Sequence, residues 1–173
     1  AEALLALREE LKGGVPGEAT GMPVELQVVA FPQEGILRAA GREARWRQVV
    51  ETGCDAVGAI PHFERTTDEG WRSVRMAFDL AEAAMDLARS QAGDDPEARI
   101  RALIETGIGH LVDELERTPK IVELAEFLCE DEAGWALLQE HIAWKRRRVA
   151  DDLAAGVAKG ALASPDPAAD AAA

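Results

Sequence analysis

Few side chains in this 173-residue chain are equipped for chemistry, and their spacing limits what that chemistry can be. Gln33 and Glu34 follow Phe31-Pro32, where an apolar run ends. Proline donates nothing to a sheet ladder, so a strand must stop there. The two polar side chains then stand just past its carboxyl end, where α/β proteins meet their ligands. For Gln33 the plainer reading is a turn glutamine facing water, because a pocket needs walls. His62 follows Pro61 at the end of a second apolar run, with Glu64 two residues on. It reads either as a neighbour of the same edge or as a capping or solvated histidine. His110 and Glu114 are one helical turn apart, a spacing that suits a shared metal but more commonly an i,i+4 ion pair.

His141 lies beside the basic run Lys145-Arg-Arg-Arg148. Residues 93–173 carry 9 bases against 17 acids, so that run reads as a solvated helix face and no nucleic-acid partner is expected. Trp135 and Trp144 are nine residues apart, which puts them on opposite sides of a helix, one in a core and one partly exposed. Cys54 and Cys129 read as small buried hydrophobes in a reducing compartment, with no disulfide framework. A zinc or iron site needs three or four converging ligands, and the three histidines have no spacing that supplies them. No phosphate-binding Gly-x-x-x-x-Gly-Lys loop and no Cys-x-x-Cys is present.

The elements that must position these residues are readable from period and punctuation. A helix is predicted over Ala3–Lys12, with Leu4, Leu7 and Leu11 on one face, followed by a loop to about Pro23. Val24–Phe31 reads as a strand covered on both faces. A helix from Arg42 to Thr52 follows, closed by Gly53, and then a second strand, Asp55–Ile60. Strand, helix, strand at this spacing predicts a parallel βαβ unit with a right-handed crossover. There is no third strand to cover its edges.

From Thr67 the period becomes helical. Thr67 or Asp68 caps a helix to about Ser90, with Trp71, Val74, Phe78, Ala81, Met85 and Ala88 aligned. Asp95-Pro96 opens the next, to about Arg117. Thr118-Pro119 begins another, and a long one carries Trp135, Leu138, Ile142, Val149, Leu153 and Val157 to a stop at Gly160. The tail from Ser164 has a helix start at Asp166-Pro167 and too little chain after it to bury anything.

Residues 3 to about 87 resemble the cytosine deaminases of the amidohydrolase superfamily. The resemblance rests on Leu26-Gln-Val-Val-Ala-Phe-Pro-Gln-Glu-Gly35, on Ala56-Val-Gly-Ala-Ile-Pro-His-Phe-Glu64 and on Ala77-Phe-Asp-Leu-Ala81. It implies a TIM barrel in which a divalent metal activates water for attack on the ring carbon bearing the exocyclic amine. It also makes Gln33 the residue that meets the pyrimidine edge. The pattern departs where the ligands belong. There is no His-x-His pair, Ala88 stands at a ligand position, and Arg89-Ser90-Gln91 stand where the acid–base glutamate would be. No metal, no cofactor and no catalytic residue are therefore expected, and the chain reads as an inactive remnant.

Residues from about 93 to 173 resemble the ligand-binding domain of TetR-family regulators. The similarity rests on Gly93-Asp-Asp-Pro-Glu-Ala-Arg-Ile-Arg-Ala-Leu-Ile104, Thr118-Pro119, Leu153-Ala-Ala-Gly-Val-Ala-Lys-Gly-Ala-Leu162 and Asp166-Pro-Ala-Ala169. It implies a small-molecule ligand and a homodimer. Residues 1–90 show no helix-turn-helix, and the chain ends where the first dimer helix is expected.

The expected fold class is α/β plus all-α: a partial βαβ piece of a TIM barrel, then a bundle of about four helices, helix-dominated. The expected divisions are 1–92, 93–163 and a Pro/Asp/Ala-rich tail, 164–173. A hydrophobic fraction of 47% suffices for a core, and the formal charge of −13 is shared by both halves. No membrane partner is expected, because no run of 18 apolar residues exists. Glu2, Arg8, Glu9 and Glu10 break any leader-like core, so the expected location is the cytoplasm.

Overall fold

The computed structural model describes residues 2–11, 26–107 and 131–172. Among them are six α-helices and two short strands, so helices dominate. In chain order these are α1 (Glu2–Leu11), β1 (Val29–Ala30), α2 (Arg42–Glu51), β2 (Ala56–Val57), α3 (Thr67–Gln91), α4 (Pro96–Gly107), α5 (Glu132–Ala158) and α6 (Pro167–Asp170). A 3₁₀ turn, Pro61–Phe63, precedes α3. The helix expected from Thr118, and His110, Glu114 and Cys129, lie outside the described residues. No helix among the described residues is long and apolar enough to cross a membrane. The chain forms two compact units, Ala1–Ala81 and Glu82–Ala173.

In the first unit, β1 and β2 pair in parallel, Val29 with Ala56 and Ala30 with Val57, with α2 as the connection. Both strands are shorter than the sequence predicts. Ladder length needs a partner, and before Val29 the Val28 amide turns away to the Asp55 carboxylate at 2.7 Å. The expected cover on both faces is also absent from β1. Val28 and Ala30 are buried, whereas Val29 and Phe31 are each 49% exposed, so the run alternates as a strand covered on one face does. Trp46 of α2 closes the covered face, its indole N–H donating to the Ala30 carbonyl at 3.0 Å. α2 stops at Gly53, which takes a φ of 94° that favours glycine.

α1 buries none of its residues, and Leu4 and Leu7 are exposed rather than forming a core face. It is held by Arg8, which donates to Asp55 at 2.6 Å and to the Gly53 carbonyl at 3.1 Å. The Asp55 hydrogen bond raises the Arg8 pKa further. α3 is capped one residue before the predicted positions: the Thr66 hydroxyl accepts from the Glu69 amide at 3.1 Å.

In the second unit, α4 starts as the sequence predicts, with Asp95 accepting from the Glu97 amide at 3.1 Å. Asp131 caps α5, accepting from the Ala133 and Gly134 amides at 2.9 Å each. Gly160, at a φ of 69°, ends it. Leu162 then folds back onto Gly156, where a Cβ would stand 2.5 Å from the leucine side chain. The tail has more structure than its composition suggests. Asp166 caps the single turn α6, which packs on α5.

The buried side of α5 is not its apolar stripe. Gly134, Leu137, His141, Asp152 and Gly156 are buried, while Trp135 is 46% exposed and Leu138, Ile142, Val149 and Leu153 are partly so. Trp144 is also partly exposed, so neither tryptophan of α5 is in the core.

Candidate functional site

Because β1 and β2 are parallel, the segments leaving their carboxyl ends emerge at the same edge. The first is a tight turn. The Gly35 amide donates to the Pro32 carbonyl at 2.9 Å, which places Gln33 and Glu34 at its corner. Gln33 is exposed. Its neighbour Glu34 pairs with Arg42 at 2.6 Å, and that guanidinium also donates to the Glu34 and Gly35 carbonyls.

The second segment, residues 61–66, is laced to the first. The Glu64 carboxylate accepts from the Ile36 amide at 2.6 Å and from the Leu37 amide at 3.1 Å. Arg38 donates to the Phe63 carbonyl at 3.1 Å, and Arg65 to the Arg38 carbonyl at 2.6 Å. Gly35 permits the approach: its φ is 79°, and a Cβ there would meet the Glu64 carboxylate at 3.0 Å. Glu64 is thus a backbone anchor, with both oxygens engaged. His62 is exposed, with its ring tilted against Phe63 at 4.8 Å between centroids. The edge therefore offers an unencumbered side-chain amide, Gln33, able to donate and accept in one plane.

A concavity lies beside this edge. A cavity of about 300 Å³ is lined by Leu4, Phe31, Pro32, Arg45, Trp46 and Val49 among others, with Gln33 outside it. It sits over β1, between α1 and α2, and its lining is mostly apolar. Cys54 is half-buried nearby, where burial pushes its thiol pKa up.

In the second unit the titratable groups are brought together between α3 and α5. His141 Nδ1 stands 2.8 Å from Glu82. Arg148 makes two bonds to Asp86, at 2.8 and 2.9 Å, which raise its pKa. Arg89 makes two to Asp152, at 2.5 and 2.8 Å, and Arg99 of α4 adds an ion pair at 3.2 Å. Lys145 is partly buried, and burial lowers its pKa. The basic run is thus not a uniformly solvated face, since Arg148 and Lys145 turn inward and Arg146 and Arg147 outward. Hydropathy gives no sign of this cluster. The signal available is the acid and base spacing: Glu82, Asp86 and Arg89 on one helix, His141, Arg148 and Asp152 on the other.

No family model, curated protein or solved structure matches this chain. The chemistry must therefore be read from the side chains themselves. Among the described residues, no three His, Cys, Asp or Glu side chains come together as a metal site. Among the described residues the donor set does not fit the divalent metal of the amidohydrolase pattern.

Proposed function

We propose that the first unit is a non-hydrolytic piece of a cytosine deaminase-like barrel whose strand-end turn binds a planar, pyrimidine-like edge through Gln33. One observation carries this reading: the parallel pair brings the Pro32–Gly35 turn and residues 61–66 to one edge, where Glu64 fixes the turn and leaves the Gln33 amide exposed. A primary amide matches the adjacent donor and acceptor of an aminopyrimidine. Titrating cytosine into ¹⁵N-labelled protein tests it. The Gln33 side-chain resonances should shift, and Gln33→Ala should abolish the remaining shifts near residues 31–37. No shift at any concentration would defeat the binding claim. Turnover of cytosine with added zinc or iron would defeat the non-hydrolytic one.

The exposure of α5 favours a second reading for the helical part, a regulator-like module that pairs with another copy of itself. Trp135 and Val157 are both exposed, and their separation puts them about 40° apart around the helix axis. Light scattering across a concentration series should show a dimer that Trp135→Glu dissociates. A monomer at every concentration would remove this reading.

A further inference from the structure

Three polar rungs join α3 to α5, in the same order along both helices: Glu82 with His141, Asp86 with Arg148, and Arg89 with Asp152. The second and third are carboxylate–guanidinium pairs. Only the first contains an imidazole, the side chain type whose charge ordinarily changes near neutral pH. We propose that this first rung is a pH-released clasp: protonation of His141 frees the first half of α5 from α3 in mildly acidic solution, while the other two rungs hold the second half in place.

The geometry concentrates the effect on one side chain. The first half of α5 buries only Gly134, Leu137 and His141. His141 is 8% exposed, with the Trp144 ring parallel to it at 6.0 Å and Glu82 as its acceptor. With the imidazole neutral, Nδ1–H donates to the Glu82 carboxylate. Adding a proton places a cation in that site beside the Lys145 ammonium. Burial is the largest influence and holds the His141 pKa below its ordinary value; Glu82 pulls it up and Lys145 pushes it down.

Other charges on the described helices beside α5 are engaged elsewhere or exposed. On α3, Asp79 is exposed, Asp86 faces Arg148 and Arg89 faces Asp152. On α4, Arg99 faces Asp152, Arg101 pairs with Glu97, and Glu105 is exposed. On α6, Asp166 caps its own helix and Asp170 accepts from Ser164. The sign follows from linkage. The released segment takes up a proton more readily than the clasped one, so the clasp is at full strength above the ordinary histidine pKa. As pH falls from there toward the lowered value, the open fraction grows by up to about tenfold per unit.

Hydrogen exchange of the whole protein, corrected for intrinsic chemical rates, reads this directly. Between about pH 7.5 and about pH 5.5, protection across residues 135–145 should fall by up to about tenfold per unit below the ordinary histidine range, with residues 149–158 unchanged. His141→Gln keeps a neutral donor to Glu82 and should hold its protection across that range. Glu82→Gln removes the group that favours the proton and should extend the loss to lower pH. Equal loss along all of α5, protection that rises on acidification, or an unchanged pH response in His141→Gln would each overturn the proposal. If His141→Gln does not fold, the unaltered protein and Glu82→Gln still decide it.

Discussion

The strand edge of the first unit and the α3–α5 pair of the second both hold carboxylates in fixed places, and they satisfy them differently. At the strand edge main-chain amides are partners throughout: Ile36 and Leu37 for Glu64, and Val28 for Asp55, which also takes the Arg8 guanidinium. Between the helices the partners are cationic or titratable side chains: Arg148 for Asp86, Arg89 and Arg99 for Asp152, His141 for Glu82. A backbone amide does not titrate and cannot move without its segment, so an acid bound to it fixes loop shape. A side-chain pair instead fixes which residues of two helices face each other, and its strength follows burial and pH. The first arrangement fixes the shape of the turn that carries Gln33; the second ties the pairing of two helices to the burial of its side chains.

The sharpest way to break this contrast is Asp152→Ala. Asp152 is 1% exposed and holds two arginines, so truncation leaves both cations partly buried and unpaired. A loss of about 3–5 kcal/mol is expected in denaturant unfolding of the second unit. A loss under about 1 kcal/mol would mean that water already screens the cluster.

Glu64→Ala is the counterpart in the first unit. It strips the partner from two main-chain amides beside the buried Ile36, at an expected cost of about 1.5–3 kcal/mol. Its second effect distinguishes the units. Exchange of the 35–37 amides should rise, and any cytosine-induced shift at Gln33 should weaken, because the turn no longer has one shape. Unfolding without a change in that turn would show that Glu64 supports the fold and not the edge.

How much of the molecule is legible in its sequence follows the same division. Stops and starts are local chemistry and can be read directly. Asp95-Pro96 opens α4, Gly53 ends α2 and Gly160 ends α5, as their residue types require. The parallel pairing of β1 with β2 is also legible from spacing. Strand length is not, because hydrogen bonding to Asp55 ends the ladder early and no local signal announces a side chain 27 residues away. The buried side of α5 escapes the sequence for a related reason. Apolar periodicity selects Trp135, Leu138, Ile142, Val149, Leu153 and Val157, whereas the buried side carries His141 and Asp152, whose partners on α3 make burial tolerable. Gln33 stands exposed at a strand end, as expected of that position, but the role of Glu64 depends on amides that every sequence contains.

A smaller effect tests capping independently of either arrangement. Asp131→Ala removes the acceptor for the Ala133 and Gly134 amides and should cost about 1 kcal/mol. The loss should appear as fraying of residues 132–135 while the Asp152 cluster remains intact. Spread of exchange to residues 149–158 would show that α5 opens as one piece, and the division of that helix into a releasable half and a held half would fail.

The smallest expected effect comes from the middle rung, which separates burial from mere pairing. Asp86 and Arg148 make two good hydrogen bonds, as Arg89 and Asp152 do, but their side chains are 36% and 31% exposed. Solvent at that level screens the attraction and rehydrates whichever partner is left. Arg148 also lies over the Trp144 ring at 5.2 Å, a contact that survives loss of the acid. Asp86→Ala should therefore cost about 0.5 kcal/mol, and no more than about 1 kcal/mol. High salt should erase that difference while leaving most of the Asp152→Ala loss, because a Debye length of about 3 Å at 1 M still screens a buried pair poorly. Equal losses for the two variants, with equal salt dependence, would mean that pairing alone sets the strength of a rung. The contrast between the two units would then rest on partner type and not on access of water.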